Sequence, residues 1–290
     1  MINIDKDKFK LEFKNQLDEF VETLKKYVSD SENQWTIKGF IDVFQNIYSI
    51  SSDTKLLSKI LEIHLFPKFL EFAHKNNYEI ILATHQNWYP DISFISKSYP
   101  KIKFAVDLKT TYLLDENPDF CNGFTLGSHG TYFTDRNSKK NIQFPYNDYL
   151  AHYCVGIIYS RSELNRLKET KIYKLIELEK IPSVIKNFTF FACEKWTIAS
   201  DKSGSGNTAN IGSIQKISDI LAGNGVFKYL GEKWFDDYWM NYGKITIIGK
   251  DGKQKKIVSL PDFLKFRGKD ETLYNPRASK INLKGGNEYK

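Results

Sequence analysis

Apolar residues return at spacings of three and four from Phe9 to Tyr27. Phe9, Phe13, Leu17, Phe20, Val21, Leu24 and Tyr27 form the stripe, with charges between them. That period predicts an amphipathic helix over residues 6–28. Its stripe packs on its own domain or on a second subunit. Ser29–Asn33 is polar and ends the helix, and Phe40–Phe44 reads as a strand. Thr54–Lys75 predicts a second helix, kinked or broken at Pro67, where a backbone donor is lost. The period then changes to two. Ile92 and Phe94, then Phe104, Val106 and Leu108, alternate as half-buried strands do. Lys97–Lys101 between them is polar, contains Pro100 and reads as a turn. Residues 113–140 are irregular, with Gly123, Gly127 and Gly130. Tyr149–Tyr159 is apolar and reads as buried, with His152 as a satisfied core histidine. Phe188–Cys193 and Lys195–Ala199 read as strands, and Trp234–Tyr242 as an aromatic-rich core helix. The expectation is an α/β fold: a central mixed β-sheet with flanking helices and the 92–108 hairpin at its edge.

Composition narrows the class. The chain has 290 residues, enough for a sizeable core, and 42 Lys+Arg against 35 Asp+Glu give +7. That excess favours an anionic partner, nucleic acid first. Part of the basic excess lies beyond Lys244, in Lys265, Arg267, Lys269, Arg277, Lys280 and Lys284. This stretch reads as a tail that wraps a phosphate backbone or is simply solvated. Cys121, Cys154 and Cys193 lie far apart with no CxxC spacing, so neither a zinc site nor a disulfide framework is indicated. The charged start of the chain lacks an apolar signal core, and no stretch has the length of a membrane span. A cytoplasmic protein without a membrane partner is expected.

The hairpin carries the candidate chemistry. Folding it about position 99 puts Asp91 opposite Asp107. Asp107 and Lys109 are two apart and share a face, while Val106 and Leu108 point the other way. Two carboxylates can hold Mg²⁺, which keeps several waters and takes a phosphate oxygen as a further ligand. A lysine beside them can stabilise charge on a phosphorane or orient the attacking water. The plain alternative is a solvated hairpin with charges on its wet face. On residues alone, Glu62 reads as a solvated helix glutamate and Lys139-Lys140 as a solvated loop pair able to reach a phosphate.

Pro90-Asp91 followed by Asp107-Leu108-Lys109 has the form of the PD-(D/E)xK motif. The motif is short, but further blocks lie around it in order. They are Ser52–Lys55 with Glu62 and Pro67, Gln86–Asp91, Asp107–Tyr112, Phe144–Tyr146 leading to Ala151-His152, and Asp201 to Ile214. In these blocks, over residues 35–240, the chain resembles the EcoRV-like type II restriction endonucleases of the PD-(D/E)xK superfamily. The resemblance implies a restriction-endonuclease-like fold, with Asp91, Asp107 and Lys109 catalytic and Asp91 and Asp107 holding Mg²⁺. It implies Glu62 as a third acidic group for catalysis and metal. It implies DNA contacts from Thr54, Thr110, Thr111 and Lys140, and from Gln86 and Asn87 in the minor groove. The Gly204-Ser205-Gly206-Asn207-Thr208 loop would enter the major groove, with Asn207 suited to adenine. The implied partners are double-stranded DNA, a second copy in a homodimer, and a cognate DNA methyltransferase. The implied site is GATATC, cut to blunt ends with 5′-phosphates. Position 88 departs from the family pattern, with Trp88 where histidine is expected.

On this reading residues 1–290 form one endonuclease domain. Its parts are a helical dimerisation segment (1–34), a catalytic core (35–160), a recognition subdomain (161–243) and a basic tail (244–290). Two other readings remain at this level. One is a structure-specific or repair nuclease with the same catalytic core. The other is a nucleotide-binding protein using the Gly204–Thr208 loop, although GxxxxGK[ST] and GxGxxG are both absent.

Overall fold

The computed structural model describes residues 5–85, 88–162, 171–204, 209–248 and 252–275. Helix α1 (Lys6–Val28) starts where the Asp5 carboxylate accepts from the Lys8 N–H at 3.1 Å. Lys25 and Lys26 in its last turn complement the helix dipole. Helix α2 (Thr54–Lys75) is capped in the same way by Asp53, which accepts from Lys55 and Leu56 N–H. It runs unbroken through Pro67. Ile63, whose carbonyl loses its partner there, is 63% exposed, so the loss falls on the wet side of the helix.

These helices cover one face of a six-stranded mixed sheet. Its path is β10-β8-β5-β4-β3, with β6 (Asn117–Cys121) pairing off β5. Strands β3 (Tyr78–Leu82), β4 (Ile92–Ser96) and β5 (Lys103–Leu114) pair antiparallel. Strand β8 (Ala151–Arg161) runs parallel to β5, and β10 (Ile185–Glu194) antiparallel to β8. Ile92 sits opposite Val106, and Phe94 opposite Phe104. That is the register that folding about position 99 requires. The hairpin is not at the sheet's edge, however. Strand β3 covers β4, and β8 lies beside β5, so both hairpin strands are interior. Packed layers lie on both faces of the sheet, which suits the run of buried residues along β4.

The sheet separates two cores. Phe104, Val106 and Leu108 of β5 face α1 and α2, and Ala105 faces the other core. The first core centres on Phe13, whose ring stacks on Phe104 at 4.0 Å and meets Phe72, Tyr78, Phe94 and Tyr153. The α1 stripe is thus buried within its own chain. On the other face, β7 (Thr125–Ser128) pairs with β12 (Asn210–Ser213), and β12 with β11 (Ala199–Ser203). Two strands, β6 and β7, therefore lie within the stretch that reads as irregular.

Three further expectations are corrected. Phe40–Phe44 is not one strand: β1 (Gly39–Ile41) turns into β2 (Asn46–Ser49). Asp42 makes the turn, accepting from the Phe44 and Asn46 N–H groups at 2.9 Å each. Lys195–Ile198 is a 3-10 turn that redirects the chain from β10 to β11. Thr197 Oγ1 closes it on the Glu194 carbonyl at 2.8 Å. The described residues between 244 and 275 are part of the fold. Strands β13 (Thr246–Ile248) and β14 (Gln254–Lys256) form a hairpin, and the helix Leu260–Phe266 buries Leu260, Phe263 and Leu264 in the second core. Arg277, Lys280 and Lys284 lie outside the described residues.

Because Phe13 occupies the centre of the first core, Phe13→Ala should destabilise the protein by about 3–5 kcal/mol. Urea unfolding measures this, and light scattering on the variant should show the parent's assembly state. A loss of association without loss of stability would assign the stripe to a subunit interface instead.

Candidate active site

The Ile92–Val106 pairing, carried one residue further, brings Asp91 to Asp107. The Asp91 N–H donates to Asp107 Oδ1 at 3.1 Å, and the Leu108 N–H donates to Asp91 Oδ2 at 2.8 Å. Each carboxylate is therefore oriented by the backbone of the other's strand. Lys109 Nζ lies 3.1 Å from Asp107 Oδ2 and 3.8 Å from Asp91 Oδ2. Asp107 is almost fully buried, whereas the Asp91 and Lys109 side chains are partly open to the cleft.

Burial pushes the Asp91 carboxyl up to about 6, with the Lys109 ammonium opposing and Asp107 adding to the shift. Burial works against the Lys109 ammonium as well. The Asp107 and Asp91 carboxylates outweigh that cost and hold its pKa above the ordinary lysine range. The centre thus contains an anionic pair short of one full cation. Its donors are carboxylate oxygens, the hard ligands that suit Mg²⁺ or Ca²⁺ rather than zinc. Among the described residues no three His, Cys, Asp or Glu side chains converge as a ready metal cage. Asp91 and Asp107 fit an ion that keeps most of its waters and takes a phosphate oxygen.

The centre opens into a cleft of about 990 Å³. Glu62 enters the cleft from α2, and its charge raises the Asp91 pKa slightly. It does not join the carboxylate pair as a third close ligand, and its Oε1 is held by Lys59 at 2.7 Å. Thr54, Thr110 and Thr111 line the same cleft, with Thr110 hydrogen-bonded to Ser58. Lys140 is exposed on a loop, its N–H bonded to Ser138 Oγ, and is not part of the lining. Gly204 directly follows β11, and its N–H donates to the Asn210 carbonyl at 2.8 Å. The facing Gly212 is required, because a Cβ there would lie 2.7 Å from the Lys202 carbonyl oxygen. Gln86, Asn87, Ser205, Gly206, Asn207 and Thr208 lie outside the described residues.

Three cations add to the Lys109 charge along the cleft: Lys55, Lys59 and Arg161. Arg161 escapes a reading by motif. It ends the apolar β8 run, and its guanidinium lies 3.2 Å from the Tyr112 ring centroid. A lone cation closing a buried strand is the available signal. His152 is the core histidine expected, buried and held well below the usual histidine pKa by desolvation. Its Nδ1 is 2.9 Å from the Tyr89 hydroxyl, and its ring stacks on Tyr146.

The family model described as restriction endonuclease EcoRV matches residues 31–268. The type II restriction enzyme EcoRV of Escherichia coli is 38% identical over 223 residues, covering 77% of this chain and 88% of that enzyme. No helix among the described residues is long and apolar enough to cross a membrane. On the extent of both matches, this chain belongs to the EcoRV family of type II restriction endonucleases, enzymes that hydrolyse DNA at specific sites.

Proposed function

We propose that the enzyme cleaves double-stranded DNA at GATATC, through the centre of the site, by Mg²⁺-dependent hydrolysis that leaves blunt 5′-phosphate ends. The observation that carries the chemistry is the convergence of Asp91, Asp107 and Lys109, with Asp91 and Lys109 lining one cleft and Asp107 buried directly behind them. Asp91 and Asp107 would hold the ion, with Glu62 facing it across the cleft. Bound there, Mg²⁺ supplies Lewis acidity at the scissile phosphate and acidifies a coordinated water. Lys109 is placed to stabilise charge developing on the phosphoryl oxygens or to orient the attacking water. Lys55, Lys59 and Arg161 attract the phosphate backbone, and Thr54, Thr110 and Thr111 can donate hydrogen bonds to it. Lys140 would reach a phosphate further from the centre.

Specificity is assigned to two loops. Gln86-Asn87 would meet minor-groove acceptors, and Gly204–Thr208 the major-groove base edges, with Asn207 on adenine. A cell carrying such a nuclease needs its own sites protected, so a DNA methyltransferase of the same specificity is the expected partner activity.

A palindromic duplex calls for two active sites, and an exposed apolar face offers the means. Phe40, Tyr48 and Ile172 form one cross-strand row over β1, β2 and β9 (Ile172–Lys174). They are 49%, 43% and 53% exposed, and Val43, Phe44 and Ile176 beside them are 78–94% exposed. A contiguous patch of this kind marks an interaction surface. We assign it to a second copy of the chain.

Digestion of plasmid with Mg²⁺ should give discrete fragments whose sequenced ends map to GATATC. Discrete ends at another sequence would remove the specificity and leave the nuclease. Asp91→Ala, Asp107→Ala and Lys109→Ala should each cut at least about a hundredfold more slowly. Specific binding should persist in Ca²⁺, and near-normal turnover would clear that residue of its role. Asn207→Ala should lose about 1–3 kcal/mol of discrimination at its base, roughly tenfold or more in cleavage of GATATC. Equal cutting of the parent and variant would move adenine recognition elsewhere. Light scattering should find twice the 33.8 kDa chain mass for the parent and a monomer for Ile176→Glu. A dimer in both would displace the interface.

A further inference from the structure

Beneath the carboxylate pair, outside the cleft lining, lies a buried ammonium that the cleavage chemistry described above does not use. Lys195 opens the 3-10 turn between β10 and β11 and is only 3% exposed. Its Nζ has no hydrogen-bond partner among the described residues. Instead it rests against three rings, 4.8 Å from the Tyr89 centroid, 5.3 Å from Tyr146 and 5.5 Å from Phe133. Burial pushes its pKa down to about 8, and the largest influence restoring the charge is Asp107. Fold stability alone would favour an apolar residue here, since an unpaired buried charge is costly.

The location explains what the charge can do. Tyr89 precedes Pro90-Asp91 directly. Its N–H donates to the Asn141 carbonyl at 3.0 Å, its carbonyl accepts from the Gln143 N–H at 2.9 Å, and its hydroxyl meets His152. Its ring stacks on Tyr132 at 5.2 Å and lies nearly parallel to Tyr146 at 6.0 Å, and the ammonium is the one charged group over the Tyr89 ring among the described residues. A desolvated cation over an aromatic face is a strong, directional contact. From Lys195 the chain runs through one short turn into β11.

We propose that Lys195 is a positioning residue for cleavage: its buried ammonium clamps the Tyr89 ring, fixing Asp91 against Asp107 and tying that pair to the start of β11. The inference rests on reading the cleft as the nuclease site. Cleavage by the parent enzyme tests that reading separately.

Methionine keeps the length and apolar volume of the side chain without its charge. With a duplex carrying the parent's own cleavage site and Mg²⁺, Lys195→Met should lose at least about tenfold in kcat while KM stays within about twofold. Its Tm should equal or exceed the parent's, because an unpaired buried charge has been removed. Lys195→Arg, which returns a cation to the same rings, should recover a measurable part of the lost turnover. A merely structural lysine would lower Tm and kcat together and show no such recovery, which would overturn the proposal. So would a Lys195→Met enzyme that turns over within about twofold of the parent. Lys195→Gln, measured beside it, decides by the same criteria if the methionine variant does not fold.

Discussion

Two carboxylates held side by side in a partly buried site repel each other, and the rest of this active site answers that repulsion. The β4–β5 register forces Asp91 and Asp107 together. Backbone donors from Asp91 and Leu108 then orient them, and Lys109 supplies one positive charge against two negative ones. Burial adds a cost of its own, pushing the Asp91 carboxyl up to about 6 against the opposing Lys109 ammonium. A site left in that condition favours a cation and the anionic backbone a cation can bridge. The interior position of the hairpin matters here. Between β3 and β8 the pair cannot splay apart without breaking ladders on both sides.

The C-terminal region acts on the same site from a distance. Tyr238 donates its hydroxyl to the Asp201 carbonyl at 2.7 Å, and the Leu260 N–H donates to Asp201 Oδ2 at 3.1 Å. Asp201 lies on β11, so the strand that reaches Gly204 is anchored by both C-terminal helices, Glu232–Asn241 and Leu260–Phe266. A strand held at two points gives whatever follows it a fixed point of departure. This is a structural use for a segment whose composition alone suggests a tail.

Much of the site is legible from residue order because its geometry is local. A period of two and one proline turn fix the hairpin register, and the register fixes which carboxylates meet. Both long helices are legible for a similar reason, since their periods and caps lie within the segment. What escapes is non-local. Strand order places the hairpin inside the sheet, and no pattern within residues 91–109 reports that β8 will run parallel to β5. Apolar Phe40 and Ile172 look like core residues until pairing shows them on a solvent face. Lys195 looks like one more strand lysine, because its meaning comes from rings contributed by Tyr89, Phe133 and Tyr146. The asymmetry follows from what a sequence encodes directly: short-range periodicity, and not partners dozens of residues away.

On the proposed chemistry, Asp91 and Asp107 together hold the catalytic cation beside the scissile phosphate. Anomalous scattering from Mn²⁺ in crystals of the enzyme bound to its DNA site tests it most directly. The expected result is a peak within ligand distance of oxygens from both carboxylates and of one phosphate oxygen, lost in Asp107→Asn. A peak bound elsewhere in the cleft, or one that survives that substitution unchanged, would contradict it.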